Sequence, residues 1–338
     1  MKVLYIGQHT EGTTSKMRAV TIQSILEPDV FEVIDTHIPF FRTTKVWRSL
    51  GFRYKIGPLI AKVNTFISEK LKTFSDFDLI WVDKGVFIQP KTLKLLRART
   101  KKLVHFTPDM GFYANQSKLF FKSIDWYDFV ITTKSAELEF YEQKVEKEKI
   151  ILTTQGFDKD IHQPKHSFED KDDAIVFIGL AEPSRLVIAE RIIKENLKLK
   201  LVGKGWGAFV EKHKADNNLI FLGEAVYSGA YSELISSSKF ALGLLSKHFP
   251  ELHTTRTFEI PACGTALLTE KNIETSNFYN DKEVVFYKDL DDLISKVKYY
   301  KSNNAKLKTL TTNGFDCVHK KGFDYESIIK RLLNKVLR

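Results

Sequence analysis

The sequence predicts an α/β protein of two domains, each built on a parallel sheet that helices cover on both faces. Short runs rich in β-branched and aromatic residues alternate with longer segments of helical periodicity, which is typical of such sheets. The alternation stops at a polar, charged stretch from 165 to 173 and then starts again. With 338 residues, 43% of them hydrophobic, the chain is long enough for two well-packed cores.

The first series of elements runs from the N-terminus to residue 152. Its predicted strands are 2–6, 32–35, 79–82, 103–106, 129–132 and 149–152. Its predicted helices are 17–26, 57–74, 90–97 and 135–143. The turn Gln155-Gly-Phe-Asp158 and the charged stretch behind it are typical of an interdomain linker.

The second series fills most of the remaining chain. Its predicted strands are 174–178, 199–202, 219–221, 240–244 and 266–268, and its predicted helices are 184–195, 230–238 and 255–263. We therefore expect a first domain from 1 to 160 and a second from 161 to 320. A C-terminal helix from 321 to 338 is a candidate to pack back on the first domain.

The net charge of +10 is spread evenly, because residues 1–170 and 171–338 each carry 26 basic and 21 acidic side chains. Locally the pattern is uneven. From Thr36 to Ser68 there is no acid, and the segment from Arg42 to Lys62 mixes six cations with aromatic residues. A second acid-free cluster spans Lys91 to Lys102. The first strip fits an anionic membrane surface or a phosphorylated acceptor, an ordinary solvated face, or, less well, a nucleic acid.

Neither a signal peptide nor a transmembrane segment is indicated, since the longest apolar runs are strand-sized. Cys263 and Cys317 are too few for a disulfide framework, and no Cys/His cluster has zinc spacing. We expect a cytoplasmic protein, with the inner face of the membrane as a candidate location.

The segment from Glu251 to Glu259 is the most informative motif. It places two glutamates eight positions apart with Arg256 between them, and a Gly-led apolar strand follows. If Glu259 lies in a helix, Glu251 must lie in the preceding loop. A loop carboxylate can then reach a sugar hydroxyl, Glu259 a ribose diol, and the helix start with Thr254, Thr255 and Arg256 a diphosphate. The same residues also fit an ordinary helix with two solvated glutamates.

In this order the segment resembles the E-x7-E element of family-4 nucleotide-sugar glycosyltransferases (glycosyl transferases group 1), in the R-x-F-E-x-x-A-C-G form of CgeB-like proteins. Other loops agree: 154–158 resembles the turn that ends the first domain of these enzymes, and Gly179 with Arg185 resembles the first loop of the second. The resemblance covers about residues 150 to 338. It implies the GT-B fold, two Rossmann-like domains whose parallel sheets face a central cleft that holds the donor.

Further candidate residues lie in loops after predicted strands, where open α/β sheets bind ligands. Gly203 and Gly205 flank Lys204 and allow the backbone to approach a base or phosphate. Trp206 is a candidate to stack on the nucleobase, or else a core tryptophan. Arg185 is a candidate for the diphosphate, or else a surface residue.

Two loops of the first domain are candidates for the acceptor or a phosphate. The first contains His9, Gly12 and Thr13 before a helix, without the spacing of a Walker A motif. The second contains His105 and Asp109, a titratable pair that could orient the acceptor hydroxyl or act as base. Taken singly, each histidine also fits a structural role.

The resemblance implies transfer of a sugar from a nucleoside diphosphate sugar to a saccharide or lipid-linked acceptor, in synthesis of cell-surface polysaccharide, lipopolysaccharide or glycoconjugates. Glu251 would hold the transferred sugar, with retention of configuration, although His253 and Thr255 depart from the usual Gly-rich turn of family 4. We expect cations and the helix start, rather than a metal held by carboxylates, to stabilise the leaving group, so we expect no metal and no other cofactor. An NAD-dependent enzyme, a nucleic-acid-binding protein and a sugar-nucleotide-binding module without turnover remain alternatives.

Overall fold

A computed structural model describes residues 1–338, and the chain forms two compact units. The first unit contains residues 1–154 together with 326–338, and the second contains residues 155–325. None of the helices combines the length and apolarity needed to cross a bilayer.

The first unit is built on a six-stranded sheet in the order β2-β1-β3-β4-β5-β6, with every pair of neighbours parallel. Its strands are β1 Lys2–Gly7, β2 Val30–Asp35, β3 Phe77–Asp83, β4 Thr100–Thr107, β5 Phe129–Thr132 and β6 Ile150–Leu152. Its helices are α1 Thr14–Leu26, α2 His37–Phe41, α3 Lys45–Tyr54, α4 Pro58–Lys72, α5 Pro90–Arg97, α6 Lys118–Phe121 and α7 Leu138–Glu142. Single 3-10 turns lie at Ile124–Trp126, Ser135–Glu137 and Lys147–Lys149.

The second unit has the same architecture, with a parallel sheet in the order β12-β11-β10-β7-β8-β9. Its strands are β7 Asp172–Ile178, β8 Leu199–Val202, β9 Leu219–Phe221, β10 Ser238–Leu242, β11 Ala266–Glu270 and β12 Val285–Tyr287. Its helices are α8 Pro183–Lys194, α9 Gly207–Lys212, α10 Ser228–Ser236, α11 Arg256–Ala262, α12 Ile273–Phe278, α13 Leu290–Lys301 and α14 Asn304–Lys320. The last helix of the chain, α15, spans Tyr325–Val336.

Apolar side chains fill both faces of each sheet. In the first unit, one core layer includes Leu4, Ile80 and Leu103, and the opposite layer joins Tyr5 and Trp81 to Ile329 and Leu332 of α15. The C-terminal helix is therefore part of the first unit's core. In the second unit the two layers lie on either side of β7, β8 and β10. The predicted α/β class with two covered parallel sheets is confirmed.

The sequence analysis left seven helices unassigned: α2, α3, α6, α9, α12, α13 and α14. The acid-free strip folds into α2 and α3, two helices that the sequence analysis did not assign because their aromatic and basic residues obscure the helical period. Strand β12 was also missed, because Val285, Phe286 and Tyr287 form a run too short to separate from the flanking polar residues. The predicted helix 135–143 is a 3-10 turn followed by the short α7.

Each sheet reverses its strand order once, between β1 and β3 in the first unit and between β7 and β10 in the second. At such a switch point the connections that follow the two adjacent strands run to opposite faces of the sheet. This opens a crevice outside the carboxyl ends of the two strands. Ligands are therefore expected at the loops after β1 and β3, and at the loops after β7 and β10.

The loops after β7 and β8 touch through their backbones. Gly203 has φ +150°, and a Cβ placed there would lie 1.8 Å from the carbonyl oxygen of Gly179. The Nε1 group of Trp206 donates to the same oxygen at 2.9 Å, and the amide of Ala181 donates to the carbonyl of Lys204 at 2.9 Å. Only glycine fits at position 203 in this arrangement.

We expect Gly203→Ala to destabilise the second unit by roughly 2 to 3 kcal/mol or more, because the methyl group meets backbone and the φ angle is unfavourable. Urea denaturation measures the change. Gly207→Ala is the matched control, since a Cβ there meets nothing within 4 Å and its change should stay within about 0.5 kcal/mol. Equal stability of the two variants would show that the contact is not a constraint.

Candidate functional site

The first candidate site lies at the switch point of the second unit, and we call it the β7–β10 site. It comprises the loop after β7, which leads through Glu182 into α8, and the loop after β10, which leads through Glu251 into α11. Glu182 connects the two loops, because it accepts a hydrogen bond from Ser246 Oγ at 3.1 Å and pairs with Arg185 at 3.0 Å. The topology thus brings together residues about seventy positions apart in the sequence.

Two arginines converge at the carboxyl end of β7. Arg256, the first residue of α11, donates from Nε to the carbonyl oxygen of Ile178 at 2.6 Å. Arg185 donates to the carbonyl oxygen of Leu180 at 3.0 Å, while its buried Nε has no hydrogen-bond partner. Burial, together with the charge of Arg256, lowers the pKa of Arg185 below its ordinary value. The carboxylates of Glu182 and Glu251 act in the opposite direction without cancelling this effect. The positive charges of the two guanidinium groups therefore repel each other, and a bound anion would relieve this repulsion.

Glu251 and Glu259 occupy the positions expected from their spacing. Glu251 lies half-buried in the loop, near enough to Arg185 for their charges to interact. Glu259 lies in α11 and is 8% exposed. Its Oε2 accepts a hydrogen bond from the buried hydroxyl of Tyr231 at 2.6 Å. Its Oε1 lies 3.7 Å from His162 Nε2, beyond hydrogen-bonding distance, so this oxygen can accept from a ligand.

The turn before α11 is more closed than the sequence analysis expected. The amide of Thr254 donates to Thr257 Oγ1, and the amides of Thr257 and Phe258 donate to carbonyls of the same turn. The seven-residue helix therefore offers few free amides, and the side chains around it carry the anion-binding capacity. The buried Oγ1 of Thr254 has no hydrogen-bond partner, whereas Thr255 is the N-cap of α11 without a side-chain cap bond.

His253 has a structural position rather than an open one. It is 1% exposed, its Nε2 accepts from the amide of Gln155 at 3.1 Å, and its Nδ1 bonds to a carboxylate oxygen of Glu274. Because Nε2 accepts a hydrogen bond, the proton of the neutral ring lies on Nδ1 and is donated to Glu274. The ring therefore connects the turn at residue 155 to helix α12. It fixes the loop that carries Glu251 and does not itself face a ligand.

Neither Trp206 nor Gly179 is placed to contact a ligand directly. Trp206 is 0% exposed and lies in the core cluster with Phe177 and Phe209, so its ring cannot stack on a base in this structure. Gly179 supplies the carbonyl that the indole binds. Lys204, by contrast, is exposed in the loop after β8, and no other side chain pairs with it. Of these three residues, only Lys204 is free to contact a ligand.

A pocket of about 210 Å³ lies at the switch point of the first unit, and we call it the β1–β3 pocket. Its walls come from the loops after β1 and β3 and from neighbouring segments: Gln8, Thr13–Ser15, Thr36, His37, Phe52, Asp83–Ile88, Asp109 and Asn115. Asp83 is fixed by Arg18, whose Nε and Nη2 bind its two oxygens at 2.6 and 3.1 Å, and by the hydroxyl of Tyr5 at 2.8 Å. These three buried side chains satisfy one another's hydrogen bonds and form a rigid floor for the pocket.

The residues predicted in the first unit divide between this pocket and the core. Asp109 lines the pocket and pairs with Lys84 Nζ at 2.7 Å. Thr13 also lines it, and its Oγ1 caps α1 by accepting from the amide of Lys16 at 3.3 Å. Gly12 is exposed at φ +74°, and His9 is half-buried nearby in sequence but outside the pocket wall.

The prediction that His105 acts with Asp109 on a substrate is wrong, because His105 is 1% exposed. Its ring stacks on Phe120 with centroids 4.3 Å apart, and its Nε2 donates to the carbonyl of Lys84 at 3.0 Å. Burial lowers its pKa to about 4, so the imidazole is neutral near pH 7. His105 instead supports Lys84, a pocket residue at φ +64°.

Sequence reasoning missed His37, Lys84, Asp83, Glu182 and Tyr231. Lys84 and His37 follow strand ends, which is the signal that could have identified them. Glu182 and Tyr231 gave no such signal, because their role depends on contacts across the fold. No group of three or more His, Cys, Asp or Glu side chains is arranged to hold a metal ion.

The neutral state of His105 makes stability depend on pH. In the unfolded chain the His105 imidazole binds a proton below about pH 6.5, whereas in the folded chain it does so only below about pH 4. The stability that this pKa difference contributes is fully present above pH 6.5 and is lost as the pH falls towards 4. We expect the wild type to lose about 2 kcal/mol more than His105→Phe between pH 7 and pH 5 in urea denaturation of the first unit. Identical losses would contradict a buried neutral histidine at this position.

Comparison with known proteins finds a family match that covers most of the second unit. Residues 185–334 match a protein family described as glycosyl transferase-like. This segment contains Arg185, Lys204, Glu251, Arg256 and Glu259. No curated protein matches the sequence significantly.

Solved structures share the fold over nearly the whole chain. The Anabaena protein HepE in complex with UDP is 16% identical, with a TM-score of 0.66 and 99% of both chains covered. Sucrose-phosphate synthase from Thermosynechococcus elongatus is 13% identical, with a TM-score of 0.70 over 99% of this chain and 98% of that one. A glycosyltransferase from Rickettsia africae is 14% identical, with a TM-score of 0.67 over 98% and 97%. The chain thus shares the GT-B fold of these structures, and the family match is confined to residues 185–334. Assignment to the CgeB-like group stays a prediction.

Proposed function

We propose that the chain transfers a sugar from a nucleoside diphosphate sugar to an acceptor hydroxyl, and that the β7–β10 site holds the donor. The observation that carries this proposal is the pair Arg185 and Arg256 at the switch point of the second unit. It is supported by the HepE structures, one with UDP and one with UDP-glucose.

The diphosphate is assigned to Arg256, Arg185 and Lys204. Departure of a nucleoside diphosphate leaves negative charge on its phosphate oxygens, and cations fixed in advance stabilise that charge without reorganising. Arg256 is fixed by Ile178 and Arg185 by Glu182 and Leu180, so both are oriented before a ligand arrives. We propose that this leaving-group stabilisation is independent of metal.

Glu259 and Glu251 are assigned to the two sugars of the donor. The free Oε1 of Glu259 is suited to accept from a ribose diol, while Tyr231 holds its other oxygen. Glu251, in the loop, is suited to hold the transferred sugar. The E-x7-E resemblance favours retention of anomeric configuration, and proton NMR of the product tests this directly.

The acceptor hydroxyl is assigned to the β1–β3 pocket, where Asp109 and Lys84 form an ion pair at the wall. A carboxylate held by an ammonium group can orient a hydroxyl or accept its proton. Saccharides with several hydroxyls fit a pocket of this polarity, which also contains His37, Thr36 and Asn115.

A thermal-shift screen tests the function. A ligand that binds only the folded protein raises its melting temperature, and a concentration 100 times the Kd corresponds to about 2.7 kcal/mol. We expect a shift with at least one nucleoside diphosphate sugar and with its free diphosphate. Glu259→Gln should diminish both shifts, whereas Glu251→Gln should diminish only the part that the sugar adds.

Arg191→Ala serves as control, because Arg191 is a surface residue of α8 that pairs with Glu195 and Asp291 away from the site. Release of the nucleoside diphosphate in the presence of acceptor then distinguishes an enzyme from an inactive binder. A shift with NAD(H) alone, or with nucleic acid alone, would overturn the proposal.

We further propose that one face of α3 meets an anionic membrane. Trp47, Leu50 and Tyr54 are spaced by three and four residues, so they share a helix face, and they are 49, 38 and 57% exposed. Large exposed apolar surface of this kind marks an interaction site. Arg42 and Lys62 flank it in the sequence, and no acid lies between Thr36 and Ser68, which suits anionic headgroups rather than a neutral partner.

We expect the protein to cosediment with vesicles containing phosphatidylserine, with each engaged Lys or Arg contributing about 1 kcal/mol at low salt and less as salt rises. Trp47→Ser with Leu50→Ser should abolish this binding by removing the apolar contact. Val187→Ser with Tyr227→Ser removes comparable exposed apolar groups from the second unit and should not affect it. Vesicle binding that survives the α3 changes would disprove the assignment.

A further inference from the structure

A second concave surface lies beside the β1–β3 pocket, and we call it the α3 groove. Its volume is about 810 Å³, and it is lined by Phe40, Lys45, Arg48, Ser49, Phe52, Arg53, Lys55 and residues 113–116. Residues 45, 48, 49 and 52 share one face of α3, a different face from Trp47, Leu50 and Tyr54. Gly51 packs α3 closely on α4, because a Cβ there would lie 2.6 Å from Leu59 Cβ. The helix thus presents two separate surfaces.

The groove concentrates positive charge without compensation. Lys45, Arg48, Arg53 and Lys55 all line it, and no carboxylate does. None of the four forms an ion pair, although cations elsewhere in this unit do, such as Lys84 with Asp109. Arg48 instead lies over the ring of Phe40, 5.5 Å from its centroid. Four uncompensated cations in one concave surface create a positive potential that attracts and retains anions.

Lys55 is the most telling of the four, because it is 6% exposed and still has no anionic partner. Its Nζ donates to the carbonyl of Phe52 and to Asn115 Oδ1, the latter at 3.0 Å, and it faces the rings of Phe52 and Phe87. A buried ammonium group with only neutral partners is costly. Burial accordingly lowers the pKa of Lys55. A bound anion would lower this cost.

The groove and the β1–β3 pocket adjoin each other. Phe52 and Asn115 line both, and Lys55 bonds to Asn115. A molecule whose hydroxyl lies at Asp109 and Lys84 can therefore extend past Phe52 and Asn115 to the cations. Phosphate is the anion best matched to such a cluster, because its oxygens accept several charge-assisted hydrogen bonds at once.

We propose that the α3 groove binds a phosphate group carried by the acceptor, so that the acceptor is a phosphorylated saccharide, free or attached to a lipid. This inference rests on the proposed function for the role of the β1–β3 pocket. The phosphate-binding site itself does not depend on turnover or on the donor.

The test is calorimetric titration with glucose 1-phosphate and with glucose, which differ only by the phosphate. We expect the wild type to bind glucose 1-phosphate at least tenfold more tightly than glucose. Lys45→Gln with Arg48→Gln should remove this preference. The control Lys91→Gln with Lys94→Gln changes the net charge equally on the exposed face of α5 and should keep the preference. UDP titration in parallel reports the β7–β10 site, and both double variants should bind UDP as the wild type does.

A second arm determines the source of the phosphate. Vesicles of phosphatidylcholine with and without a long-chain polyprenyl phosphate replace the soluble ligand, and preference for the phosphorylated vesicles should again require Lys45 and Arg48. Dependence in the soluble arm indicates a free sugar phosphate, and dependence in the vesicle arm alone indicates a lipid carrier. If neither arm depends on the two cations, the inference is overturned, and normal UDP binding would show that the donor proposal stands independently.

Discussion

The backbone contact between Gly203 and Gly179 is the constraint on which the second unit's site depends. Because no side chain fits between these residues, the loops after β7 and β8 approach closely enough for Ala181 to bond to Lys204 and for Trp206 to bond to Gly179. These bonds fix the end of β7, and Arg256 is in turn anchored to Ile178 at that end. The cationic cluster is therefore positioned mainly by the backbone, which gives the rigidity that preorganised charge stabilisation requires.

The two units use the same architecture for different chemistry. Each places its candidate site at a switch point, where crossover connections leave a crevice at the carboxyl ends of the strands. In the first unit the buried cation Arg18 is neutralised by Asp83 and serves as a floor. In the second unit Arg185 pairs with Glu182, whereas Arg256 donates from Nε to the neutral carbonyl of Ile178. The first arrangement suits polyhydroxylated molecules, and the second suits a diphosphate.

The sequence predicted the two parallel sheets and the placement of Glu251 in a loop and Glu259 in a helix, because periodicity and local spacing determine both. It did not predict which polar residues the core would absorb. His105 lies near the end of a predicted strand, and Trp206 and His253 lie in the segments that follow two others, where ligand-binding residues are expected, yet they are 1, 0 and 1% exposed. Whether such a residue faces a crevice or the core depends on contacts with partners distant in sequence, such as Phe120, Glu274 and Phe209. Local pattern carries no information on those contacts.

The central claim is that a nucleoside diphosphate binds at the switch point of the second unit, and amide hydrogen exchange with and without UDP tests it most directly. Bound ligand slows exchange where it contacts or stabilises the backbone. We expect protection concentrated in peptides covering 179–186, 203–206 and 251–260, with little change in the loops after β1 and β3. Protection confined to the first unit, or absent from 251–260 at saturating UDP, would contradict it.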